Sequence, residues 1–142
     1  MADSSGRFVR WQSIQVTQLG FVLNLVMGFA VAGLGLWVSL LRDTSFQPQC
    51  QTKYLFGLSA ISFLISIASG MWCSLNRLWD FRITAGMARG KWTGDELREK
   101  EMRSEKLGDR TWMLLYFEVS TFTLATILLI ATLAQVYWCK LF

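Results

Sequence analysis

Histidine is absent from this chain of 142 residues, proline occurs once, cysteine three times, and only 17% of the residues are charged. Without an imidazole there is no His-activated nucleophile and no His ligand for zinc, haem or non-haem iron. Cys50, Cys73 and Cys139 lie far apart with no CxxC pair, so their spacing offers no metal or redox centre. The single Pro48 falls between two apolar runs and leaves both free of a helix breaker. A chain this short makes one compact domain, without room for a separate soluble catalytic module.

What the chain does have is apolar length. Hydrophobic residues make up 53% of it, and its mean hydropathy is +0.36. Leu19–Leu41, Tyr54–Leu75 and Trp112–Trp138 together carry one charged residue, Glu118, and every other charge lies outside them. A soluble helical domain spreads charge along each helix, because each helix turns one face to water. A hydrocarbon core about 30 Å thick needs roughly 20 apolar residues in a helix, and each run reaches that length. The expectation is an all-α integral membrane protein with three transmembrane helices at 19–41, 54–75 and 112–138. Around them lie an N-terminal segment at 1–18, an outer loop at 42–53, a charged hairpin at 76–111 and a C-terminus at 139–142.

Three spans place the N-terminus and the second loop on one side. Arg7, Arg10 and the Lys and Arg residues between Asn76 and Thr111 gather there, against Arg42, Lys53 and Lys140 on the other. By the positive-inside rule the N-terminus and 76–111 are cytoplasmic and the C-terminus is extracytoplasmic. Trp11, Trp79 and Trp112 fit an inner aromatic belt, and Trp37, Tyr54, Tyr137 and Trp138 an outer one; Trp72 and Trp92 fit neither. The first run stays apolar through Leu34, Leu36, Trp37 and Val38, past the small-x-small site Ala30-Val31-Ala32. It therefore reads as a retained span rather than a cleaved signal peptide. Ser4–Ile14 suits either a short interfacial helix or a frayed tail.

The 76–111 loop has its own helical signals. Thr93-Gly94-Asp95-Glu96 has the form of a capping box, and Glu96–Lys100 and Glu99–Arg103 are favourable i,i+4 pairs. The second and third spans should therefore run on as an antiparallel helical hairpin reaching about 20–25 Å into the cytoplasm. Pairing about Lys91 places Arg77 near Glu105 and Asp80 near Arg103. Gly86–Thr93 (GMARGKWT) has the glycines and lysine of a phosphate loop, but only three residues separate the glycines, Trp follows the lysine and no strand precedes. It reads as an interhelical turn, without nucleotide. Basic residues alternate with acids and form no uniform patch for nucleic acid. Arg77, Asp80, Arg82 and Arg110 are the candidates for docking or for contact with membrane lipid headgroups.

Each span carries a small or polar stripe. The first has Gly20, Asn24, Gly28, Ala32, Gly35 and Ser39; the second Ser59, Ser62, Ser66, Ser69, Cys73 and Asn76. In the third, Thr111, Glu118, Ala125, Thr132 and Cys139 recur every seven residues, with Thr121 and Gln135 between. Such spacing holds a seam on one side of a left-handed helix pair, where small residues allow close approach and hydroxyls bond across. Glu118 alone lacks an evident cause. It sits about 10 Å inside the span, where an acid costs up to about 3 kcal/mol, with Asn24, Ser66 and Ser69 at similar depth. Protonated or bonded to a hydroxyl it would lock the bundle; otherwise it is a proton or cation site, or the partner of an incoming Arg.

These residues support two functional expectations and weaken a third. One is a non-enzymatic assembly or accessory subunit, acting through its stripes and its hairpin as a homo-oligomer or within a larger membrane complex. The alternative is a homo-oligomeric ion or proton channel lined by Glu118 and the Ser/Thr stripes, with Asn24, Ser62, Ser66, Ser69 and Thr121 as contributors. An enzyme fits least, since one intramembrane acid without His or an activated nucleophile makes no catalytic set, and no cofactor is implied. Cys50 and Cys139 share the outer end, where an oxidising compartment would permit a disulfide.

Overall fold

Three helices account for nearly the whole chain. The computed structural model describes residues 2–44, 46 and 50–141, with side chains described for 17–44, 46 and 52–137. Helix α1 runs Ala2–Arg42, α2 Cys50–Ala88 and α3 Asp95–Leu141, and no strand occurs among the described residues. Each is long and apolar enough to cross a membrane. Nothing in α1 interrupts the helix between Ala2 and Arg42, so Ser4–Ile14 continues the first apolar run rather than forming a separate element. Pro48 lies outside the described residues, as do the side chains of Cys50, Cys139, Trp11 and Trp138.

Helices α2 and α3 form the main interface, and α1 lies chiefly against α2. The α2–α3 pair is antiparallel, and its register can be followed through three hydrogen bonds between the helices. Ser104 Oγ donates to Asp80 Oδ1, Cys73 Sγ to the Thr111 carbonyl at 3.4 Å, and Ser66 Oγ to the Glu118 carbonyl at 3.2 Å. All three are centred on Trp92, not Lys91. With the centre at Trp92, Asp80 meets a hydroxyl, Ser104, in place of the expected Arg103.

The shift follows from how the turn is built. At the end of α2 the Gly90 N–H donates to the Met87 carbonyl at 2.9 Å and the Lys91 N–H to the Gly86 carbonyl at 3.2 Å. That is a Schellman closure, and it needs a left-handed residue at Gly90, where φ is +64°. Gly94, at φ +63°, supplies the first helical carbonyl of α3, accepting from the Arg98 N–H. The helix therefore opens at Gly94, one residue beyond the Thr93 of the expected capping box. Trp92, between the two glycines, folds its indole onto the Cα of Gly86, and the ammonium groups of Lys91 and Lys100 each stand 5.7 Å from its ring. Cation–π contact and the missing Cβ at Gly86 thus fasten the tip, which explains a tryptophan far from any aromatic belt.

Packing divides into two clusters. Near the α1–α2 loop, Ala30, Phe46, Phe56, Phe63, Ala125 and Leu129 are buried together. Trp37 stacks on Phe56 with ring centroids 4.7 Å apart and donates its Nε1–H to the Phe56 carbonyl at 2.9 Å, and the Phe46 ring packs tilted against Phe56 at 4.9 Å. Toward the hairpin, Leu23, Cys73 and Leu115 make a smaller cluster with Leu19, Met27 and Leu114. Outside both, large apolar side chains such as Phe21, Phe29, Ile61, Leu64, Tyr116, Ile127 and Ile130 are exposed around the bundle. A soluble monomer rarely shows apolar surface on every side.

Candidate functional site

The stripes of α2 and α3 close on each other. Ser59, Ser62, Ser66, Ser69 and Cys73 are buried, and so are Thr111, Glu118, Ala125 and Thr132 across from them. The heptad spacing in α3 and the 3-4 spacing in α2 put these residues on one face of each helix. Antiparallel pairing then turns the two faces together. Most hydroxyls are taken up by their own helix. Ser62 donates to the Leu58 carbonyl, Ser69 to Ser66, Thr132 to Leu128, and Thr121 to both Phe117 and Glu118. Such back-bonding satisfies the oxygen without a partner across the seam. Within the seam Ser66 and Cys73 reach over, as does Thr52 near the loop end, whose Oγ1 donates to Gln135 Oε1 at 3.0 Å.

Glu118 lies at the centre of the seam with no exposed surface. Neither carboxyl oxygen has a hydrogen-bond partner. The carboxyl rests on the Cα of Gly70, and a Cβ built there would also come within 2.7 Å of Met27 Cγ. So one acid of α3 is enclosed where Gly70 of α2 and Met27 of α1 meet. The expected hydroxyl lock is not formed: Ser66 does meet Glu118, but at its main-chain carbonyl, and Ser69 bonds within α2. Among the described residues no group of three or more acidic, Cys or His side chains gathers as a metal site.

Asn24 does not join this centre. It is exposed, on the rim of a shallow recess of about 420 Å³ lined also by Gly20, Leu23, Ser74, Arg77, Leu78 and Phe81. Arg77 leans across α1 there, close enough that a Cβ at Gly20 would stand 2.9 Å from its guanidinium. Arg82 and Arg110 are exposed on the hairpin, and Asp80, half-buried, is held by Ser104. The docking candidates therefore do not form one cluster.

Helix α1 sorts its glycines by side. Gly33 receives the Phe63 ring, with a would-be Cβ only 2.7 Å from its Cζ, and Gly20 receives Arg77. Gly28 and Gly35 have nothing within 4 Å. With Asn24, Ala32 and Ser39 they form an exposed small and polar face that the described residues leave uncovered. This unpartnered face was not separable from the buried seam in the sequence, because the stripes share one spacing. Comparison with protein-family models, with curated proteins and with solved structures finds no match to this chain.

Proposed function

We propose that the chain is a small, non-enzymatic, multi-pass membrane protein that works as an assembly or accessory subunit, offering the outer face of α1 to a partner's transmembrane helix. The observation that carries this reading is the division of the stripes. Those of α2 and α3 are closed inside the protomer, whereas Asn24, Gly28, Ala32, Gly35 and Ser39 stand exposed on α1 with open space at both glycines. In a bilayer, small residues permit the close backbone approach on which helix association depends, and the Asn24 amide gains a bonding partner only when something covers it. The N-terminus and the 76–111 hairpin lie on the cytoplasmic side in this reading, following the Lys/Arg excess, and α2–α3 presents the Trp92 tip there.

The alternative is a homo-oligomeric proton or ion channel, and one observation favours it: the two unpartnered oxygens of Glu118. Against it, most seam hydroxyls are engaged with their own helices, and a path along Glu118 would require α2 and α3 to part. The test is native mass spectrometry of protein extracted gently from its own membrane, comparing wild type with the double variant Gly28→Leu/Gly35→Leu. A second polypeptide bound to wild type and absent from the folded variant supports the α1 face. A homo-oligomeric ring that survives the double substitution and conducts in pure liposomes, with Glu118→Gln abolishing the current, refutes it.

A further inference from the structure

At the loop end of the bundle, α2 and α3 leave a groove of about 660 Å³ lined by Lys53, Tyr54, Leu55, Gly57, Leu58, Ile61 and Gln135. Its chemistry is graded along its length. The floor is apolar: Leu58 and Ile61 are half or more exposed, and Gly57 has nothing within 4 Å of a would-be Cβ. The nine residues from Lys53 to Ile61 span about 12 Å of helix, room for part of an acyl chain. The rim is polar, and it offers donors.

Three details make the rim selective for an acceptor. Lys53 is exposed. Gln135 Oε1 accepts from the Thr52 hydroxyl, which leaves its NH2 group, two donors, for an acceptor in the groove. Tyr54, 81% exposed, adds a phenol. Lys53 and Tyr54 of the rim stand near the start of α2, whose own first turn contains no acid to offset the positive end of the helix dipole. A cation, amide donors and a helix N-terminus above an apolar trough complement a phosphate carried on a hydrocarbon chain. They do not complement a second apolar helix, which would leave the Lys53 ammonium without a counter-charge.

From this we infer that the groove is a binding site for one anionic glycerophospholipid per chain, its phosphate at Lys53 and Gln135 and one acyl chain along Gly57, Leu58 and Ile61. The inference goes beyond the subunit reading and uses a different face from the α1 stripe, so either can fail alone. It also differs from the charged hairpin, where sequence had placed lipid headgroups near Arg77, Arg82 and Arg110.

The experiment uses full-length protein in mild detergent, delipidated, titrated with phosphatidylglycerol or phosphatidylcholine and read by native mass spectrometry as lipid-bound mass. Wild type should retain a single phosphatidylglycerol, about fivefold better than phosphatidylcholine, as one surface cation near an anionic headgroup provides. Lys53→Gln should remove that preference, Lys53→Arg should keep it, and Arg42→Gln, at the same end but off the groove, should not alter it. Gly57→Phe should fill the trough and lower retention of both lipids, with circular dichroism confirming an unchanged helix content. Phosphatidylglycerol retention that is unaffected by Lys53→Gln, or unaffected by Gly57→Phe, overturns the assignment. So does a dimer mass that carries no lipid and is lost in Gly57→Phe, which would give the groove to a second copy of the chain.

Discussion

Replacing Glu118 with methionine should stabilise the protein, although the site is fully enclosed and substitution in a packed core normally destabilises. No surface of Glu118 is exposed, and neither carboxyl oxygen is hydrogen-bonded. A buried polar group without a partner carries a desolvation penalty of about 1–3 kcal/mol in protein mutational data. Methionine matches glutamate in length and lack of branching, and its thioether is at home against Met27 and the Cα of Gly70. The exchange removes the penalty and opens no cavity. For a chain of this size about 1 kcal/mol corresponds to roughly 3–4 °C, so the thermal midpoint should rise by about 3–12 °C.

Two companions isolate the cause. Glu118→Gln keeps the shape but retains unbonded polar atoms, so its midpoint should stay within about 3 °C of wild type. Glu118→Ala vacates the space above Gly70 and should destabilise by about 2 kcal/mol or more, as a cavity among three helices does. The measurement is thermal unfolding in one fixed lipid or detergent, followed by tryptophan emission. A lower midpoint for Glu118→Met, with helix content unchanged, would refute the argument: the carboxyl would then hold a stabilising bond, to a bound cation or a partner group.

Three further substitutions test the packing and the topology. Gly33→Ala should cost about 1–2 kcal/mol because its methyl meets the Phe63 ring, whereas Gly35→Ala, in open space, should be neutral or stabilise by up to about 1 kcal/mol; the same thermal assay separates them. Trp37→Phe keeps the stack on Phe56 but loses the bond from Nε1 to the Phe56 carbonyl, and should cost about 1 kcal/mol by chemical denaturation. In sealed vesicles, trypsin should cut between Asn76 and Thr111 only from the cytoplasmic side, and faster in Trp92→Ala, which unfastens the tip. Cleavage of intact right-side-out vesicles in that hairpin would reverse the proposed orientation.

The three helices were legible in the sequence because a run of apolar residues with all charge excluded has few structural solutions. The α2–α3 seam was legible for a related reason: a 3-4 recurrence of Ser and Cys, and a strict seven in α3, both specify one helix face. Register was harder. A hairpin inherits its pairing from the turn, and here the turn depends on left-handed φ at Gly90 and Gly94 and on Trp92 folding back onto Gly86. Pairing about Lys91 rather than Trp92 set Arg103, not Ser104, beside Asp80, and the capping-box letters separately put the start of α3 one residue too early. The Trp37–Phe56–Phe46 cluster was hidden because an aromatic near a span end was read for its depth, not for a neighbour on another helix.

Asn24 shows where such reading runs out and why that limit bears on function. Matching residues by depth places Asn24 level with Glu118, yet depth fixes only the position along a helix and leaves its rotation free. Within the α2–α3 pair rotation is determined, because each helix has one polar face and the two must meet. A third helix resting mainly on α2 has a weaker constraint: its glycines occur on more than one side, and either side permits close approach. In the structure, Gly20 and Gly33 take the inner contacts and Asn24, Gly28 and Gly35 are left outward. If packing within the chain were the only demand on α1, large apolar residues on the outer face would serve lipid better than two glycines and an amide. Their presence there is therefore the strongest physical reason to look for a second helix against α1, rather than for an ion path through the closed seam.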